Sequence, residues 1–162
     1  LKNNLCYACN NQKYYLLGIY KREIERMNEK YKNDYSFGKG KEETVLTKIR
    51  TYFNEPTIEP LTERYSRYDY CDKQGKKYEL KSRRMTKDRF NTTMLPVGKL
   101  LSENPEGNIF LFHFTDGLYY IKYDSSVFST FNIAPYCRSD REGYDTPQDY
   151  IFIPVNLLTQ II

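Results

Sequence analysis

The chain has 162 residues, 40% hydrophobic and 28% charged, with 17 Tyr, 9 Phe, no Trp and a single His. This length and apolar content suit one domain, spanning 1–162, with a substantial core, and they argue against wholesale disorder. No run approaches the roughly 18 consecutive apolar residues of a membrane-spanning helix, and one His excludes chemistries built on paired imidazoles. The opening Leu1-Lys2-Asn3-Asn4-Leu5 has no initiator Met and no apolar signal region. The expectation is therefore an intracellular protein, cytoplasmic or nuclear, with reduced cysteines and no membrane partner.

In chain order, Cys6 and Cys9 have the spacing of zinc ligands, but the two further ligands a structural site needs do not follow. Residues 12–33 place Tyr15, Leu16, Ile19, Ile24, Met27 and Tyr31 at near-helical intervals among charged residues, which predicts an amphipathic helix. Residues 1–36 thus read as a helical N-terminal extension that ends in the Gly-rich break from Asn33 to Gly40. A second helix is expected from Lys41 to Phe53, with Val45, Leu46, Ile49, Tyr52 and Phe53 as its inward stripe and Glu55-Pro56 as its stop.

A hairpin follows, from the Tyr-rich run Tyr65–Cys71 to Lys77–Arg84, joined by a five-residue loop containing Gly75. Residues 85–91 read as loop and 96–103 as a short helix. Asn108–Phe114 is almost wholly apolar and reads as a strand buried on both faces, turning through Asp116-Gly117 into Leu118–Tyr123. Residues 124–149 are polar and irregular. Tyr150–Pro154 is a last strand, and Val155–Ile162 a short helix or tail. The class is α/β, with a mixed central sheet flanked by helices.

Charge is unevenly spread. The window Lys73–Arg89 holds eight basic residues and two acids, a charge of +6, while the whole chain carries +4; the remaining residues are slightly acidic. A basic tract in an otherwise near-neutral chain suits a polyanion, and nucleic acid above all.

Centring the hairpin on Gln74 puts Asp69 directly opposite Glu79, and opposed residues share a face of the sheet. Lys81, two residues on, projects from that face as well. Facing carboxylates repel unless a cation intervenes, and a hard divalent ion such as Mg²⁺ or Mn²⁺ takes oxygen ligands readily. The Leu80 backbone carbonyl is a further candidate ligand. Glu42 lies on the inward stripe of the preceding helix, four residues before Leu46 and seven before Ile49, and is a third candidate carboxylate.

Asp69…Glu79-Leu80-Lys81, set among helix, hairpin, helix and apolar strand, resembles the PD-(D/E)xK nuclease superfamily, particularly its small phage and viral members. Tyr68 stands where that motif has Pro. The resemblance implies a restriction-endonuclease-like αβββαβ core over residues 37–123, with 124–162 as a C-terminal strand and tail. It implies Mg²⁺- or Mn²⁺-dependent endonuclease hydrolysis of DNA phosphodiesters, leaving a 5′ phosphate and a 3′ hydroxyl. Asp69, Glu79, Glu42 and the Leu80 carbonyl would hold metal, and Lys81 would assist the attacking water. Arg83, Arg84 and Lys99 are read from charge alone as contacts to the DNA backbone. RNA remains an open substrate, and cutting both strands would favour a homodimer. The competing reading is a nucleic-acid-binding α/β module whose basic hairpin grips phosphates without cleaving them.

Overall fold

The structure is a computed structural model that describes residues 25, 29, 32, 33, 36, 37, 41, 42, 44–63, 66–101, 104–137 and 147–162. The chain divides into two compact units, Leu1–Phe37 and Gly38–Ile162, with the boundary inside the Gly-rich break. In the first unit positions 25, 29, 32 and 33 are helical, as the periodicity predicts, but so are Ser36 and Phe37, inside the break expected from Asn33; Cys6 and Cys9 lie outside the described residues. Everything below concerns the second unit.

Helix α1 takes in the described positions 41, 42 and 44–52, reaching back to Lys41 as expected. It buries Val45 and Ile49, with Leu46 and Phe53 packed beside them, so the predicted stripe holds; Tyr52 sits at its margin, its ring edge-on to Phe53 and Tyr120. The helix stops before Pro56 acts. Asn54 turns left-handed (φ 49°), Asn54 N–H donates to Thr51 O and Glu55 N–H to Arg50 O, which closes the last turn with a Schellman cap. Asn is one of the few side chains that tolerate that backbone region.

Two sheets follow. The larger has strand order β1-β2-β3-β5-β6-β9 and the smaller β4-β8-β7. Strands β1 (Glu59–Pro60), β2 (Tyr70–Cys71) and β3 (Lys77–Ser82) pair antiparallel in turn. The β2–β3 register, Tyr70 opposite Tyr78 and Cys71 opposite Lys77, is the one the loop length predicts. Gly75 supplies the positive φ (85°), and Asp72 Oδ1 accepts from Gln74 N–H and Lys76 N–H to fasten the loop. The strand expected over 65–71 shrinks to two residues. Only Tyr70 and Cys71 find ladder partners, because β1 opposite them is itself two residues long and ends in Pro.

Strand β5 (Ile109–Phe114) runs parallel to β3, and β6 (Gly117–Lys122) returns antiparallel to β5. The crossover from β3 to β5 departs from expectation. In place of a loop and the helix over 96–103 its described residues hold a 3₁₀ turn, Lys87–Arg89, then β4 (Thr92–Pro96) and a second 3₁₀ turn, Val97–Lys99. Thr93 and Leu95 point inward at period two, and Pro96 ends the strand.

The described part of the region read as irregular also folds, with residues 138–146 outside the described residues. Helix α2 (Ser125–Phe128) is capped by Asp124, whose carboxylate accepts from Ser126 and Val127 N–H. Strand β7 (Asn132–Tyr136) then pairs with β8 (Gln148–Pro154). Val155–Leu157 forms a 3₁₀ turn, and the chain end then forms β9 (Thr159–Ile161) on the edge of β6 instead of continuing as a helix or tail.

Alternation along β5 divides the core. Ile109 and Leu111 join Val45, Ile49, Tyr78 and Leu80 on the α1 face. Phe110, Phe112 and Phe114 join Leu95, Ile151 and Ile153 on the face covered by the smaller sheet. Strand β5 is therefore buried on both faces, as its unbroken apolar run predicts.

Candidate functional site

The same alternation fixes the site. On β3, Tyr78 and Leu80 face α1, so Glu79 and Lys81 project from the opposite face, beside Phe110 and Phe112 in the parallel register. Glu79 is only 1% exposed, on an apolar wall where an isolated carboxylate is costly. Two ammonium groups compensate. Lys81 Nζ donates to Oε1, and Lys99 Nζ reaches both oxygens, 2.9 Å from Oε1 and 3.0 Å from Oε2. Burial pushes the Glu79 carboxyl above its ordinary range; Lys81 opposes that shift, the Asp69 charge adds to it, and Lys99 again opposes it.

Asp69 stands where β2 begins and is fastened on three sides. Its N–H donates to Tyr78 O (3.0 Å), its carbonyl accepts from Leu61 N–H (2.9 Å), and its Oδ2 accepts from Leu80 N–H (2.7 Å). In an extended strand the N–H and C=O of one residue point to the same side. The Leu80 carbonyl is thereby turned toward the Asp69 side of β3, beyond the short β2 ladder. Asp69, Glu79, Lys81 and the Leu80 main chain come together as the hairpin register predicts.

Glu42 does not join them. It stands in the first turn of α1, whose Val45 and Ile49 pack on the other face of the sheet, and its carbonyl accepts a hydrogen bond from Tyr70 Oη (2.7 Å). Among the described residues no group of three or more His, Cys, Asp or Glu side chains is placed to hold a metal ion. The carboxylate donors that meet are two.

The basic residues divide. Arg83 is half-buried and braces the two sheets: its N–H donates to His113 O, its Nη2 to Met94 O, and its Nε lies 3.5 Å from Thr93 Oγ1. Arg84 is exposed just past the end of β3. Lys99, expected on the DNA backbone, is instead a partner of Glu79. Its place is set by Tyr68, which is buried and donates from Oη to Lys99 O (2.6 Å), while Lys99 Nζ also donates to Arg67 O. Tyr68 thus does structural work where the motif carries Pro. Sequence reasoning had no signal for this pair, since Lys99 reaches Glu79 only once β4 has joined the second sheet. A cavity of about 640 Å³ opens beside Lys81 and Arg83.

Comparison with protein-family models, curated proteins and solved structures finds no match for this chain. Among the described residues no helix is long and apolar enough to cross a membrane.

Proposed function

We propose that this chain is a divalent-metal-dependent nuclease that hydrolyses DNA phosphodiester bonds at the Asp69…Glu79-Leu80-Lys81 hairpin. The observation that carries the reading is Glu79. A carboxylate 1% exposed, pushed up by burial and then by a neighbouring Asp, and held by two lysines, is an expensive arrangement for packing alone. The order α1, β1, β2, β3 and then a strand parallel to β3 supports the restriction-endonuclease-like plan, with β4 and a 3₁₀ turn in place of the crossover helix.

The donor set fits a hard ion: two carboxylates and a carbonyl, all oxygen, with water completing the shell as Mg²⁺ prefers. Bound there, such an ion would polarise a phosphoryl oxygen and lower the pKa of water. The chain's own residues do the rest. Asp69 is immobilised by its three hydrogen bonds and so presents its remaining oxygen at a fixed point. Lys81 places a positive charge at the mouth of the cleft, where it can orient water or offset charge building on the phosphate. Lys99 opposes the upward shift of Glu79 and holds both of its oxygens in place.

The test is incubation with single-stranded, duplex and branched DNA in Mg²⁺, Mn²⁺ or EDTA. Cleavage is expected with either ion and not with EDTA, and Glu79→Gln should slow it by about 10²–10³-fold, the size of losing a principal electrostatic group. Failure to cut any of the three under both ions overturns the proposal. The non-cleaving module is separated by Asp69→Ala, which in a mere phosphate-gripping domain would leave binding unchanged or tighter and have no cleavage to remove.

A further inference from the structure

The cavity beside Lys81 combines two chemistries. Its walls carry the rings of Phe90, Phe114, Tyr136, Tyr150 and Phe152, contributed by the crossover, β5 and the smaller sheet. Its other side carries Lys81, Arg83 and Lys87, all from the +6 tract, and no acidic residue is among its lining residues. The volume, about 640 Å³, lies in the usual range of pockets for small organic groups. Phe90 is 57% exposed, with the Arg89 guanidinium 5.8 Å from its ring centroid, and Tyr136 is 38% exposed. Tyr136 stands edge-on to Tyr150 (5.5 Å, 83°), which leaves ring surface for a flat guest.

We infer that this cavity receives an unpaired nucleobase of the strand whose phosphate lies at Lys81, so that the substrate is single-stranded or locally unpaired at the cut. This rests on the proposed nuclease reading and extends it. Lys81 and Lys87 are ion-paired with Glu79 and Asp88 and Arg83 braces the sheets, but the cavity lining itself carries no acid, so an apolar guest alone leaves its positive side unmatched and a phosphate alone leaves its rings uncovered. A nucleotide in an open strand carries both: a π face that stacks on aromatic side chains, and a backbone anion beside it. In a paired duplex those faces are hidden by neighbouring bases. Gln148, Thr92 and Thr93 also line the cavity and supply polar groups for a base edge.

The chain has no Trp, so Phe90→Trp places the only indole in the protein at the cavity mouth. In EDTA, its emission should be quenched saturably by oligothymidylate, and left nearly unchanged by an abasic strand of equal length and charge or by blunt duplex. Phe90→Ala should weaken single-strand binding about 5- to 150-fold, the effect of losing one stacked base, with duplex binding unaltered and Phe90→Tyr restoring it. Equal quenching by the abasic strand, no quenching at all, or equal weakening of single-strand and duplex binding by Phe90→Ala overturns the inference. Because these readings need no cleavage, base-selective binding without cutting would sink the nuclease reading alone, and cutting without base selectivity would sink only this one.

Discussion

The two faces of the central sheet are built on different terms. On the α1 face, Val45, Ile49, Tyr78, Leu80, Ile109 and Leu111 pack together, and the buried Asp72 carboxylate of the β2–β3 loop is tied by the Tyr78 hydroxyl and by loop N–H groups rather than by a cation. On the other, an equally apolar set (Leu95, Phe110, Phe112, Ile151 and Ile153) surrounds a buried carboxylate and the two lysines that hold it. Both faces take their side chains from the same two strands, β3 and β5, one residue out of step. The first face is solved by shape and volume. The second accepts a desolvated ionic cluster, which packing alone does not require, and that marks it as the working face.

The sharpest way to break this contrast is to remove charge from the second face in two ways. Glu79→Leu leaves Lys81 and Lys99 facing an apolar wall and should destabilise the fold by about 3–5 kcal/mol, as expected when one partner of a buried pair is lost. Replacing all three residues by Met should recover that loss or exceed the parent by about 1–4 kcal/mol, with no cleavage of any DNA. On the α1 face, Ile49→Ala should cost about 2–5 kcal/mol through its cavity, and whatever chain remains folded should keep its ion requirement. Urea denaturation with a parallel cleavage assay separates these outcomes. A triple variant no more stable than Glu79→Leu would mean that the cluster is structural cement and not a functional device.

How much of this contrast could be read in advance follows from how local each feature is. The opposition of Asp69 and Glu79 was legible because a five-residue loop with Gly75 fixes register within eleven residues of chain, and β3 then assigns its faces by period two. The two-sided burial of β5 was legible for the same reason. Strands β4, β7 and β9 were not. They are short, β4 and β7 contain Pro, β7 is largely exposed, and each exists because a distant partner, β8 or β6, offers hydrogen bonds. Glu42 shows the limit of a helical stripe: periodicity correctly finds the inward side of α1, yet cannot tell which face of the sheet that side meets. Lys99 shows the converse, a site residue whose position is set wholly by tertiary contacts, through Tyr68 and the end of β4.

A smaller effect sharpens the role of those two lysines. Lys99 touches both oxygens of Glu79 and so competes with any other cation for them, whereas Lys81 touches one. Lys99→Met should therefore tighten Mg²⁺ binding, seen as a larger rise in melting temperature on adding the ion than the parent shows, since a ligand stabilises in proportion to its affinity for the folded state. Lys81→Met should abolish cleavage with little change in that rise. The opposite assignment of the two outcomes would exchange their roles.

The smallest effect concerns the imidazole that the α1 face buries. His113 lies on β5 in step with Ile109 and Leu111, its Nδ1 buried without a hydrogen-bond partner. Burial lowers its pKa, and the charges of Lys41 and Lys48 lower it further. Folding thus disfavours the imidazolium. Below the ordinary His range, near about 6.5, the unfolded chain binds more protons than the folded one, so stability rises with pH across that window and is lost as the pH falls. Melting curves at pH 7.5 and 5.5 should show a larger drop for the parent than for His113→Phe, which places an uncharged ring in the same position. An equal drop would assign the acid sensitivity to carboxylates elsewhere and leave the imidazole without a part in it.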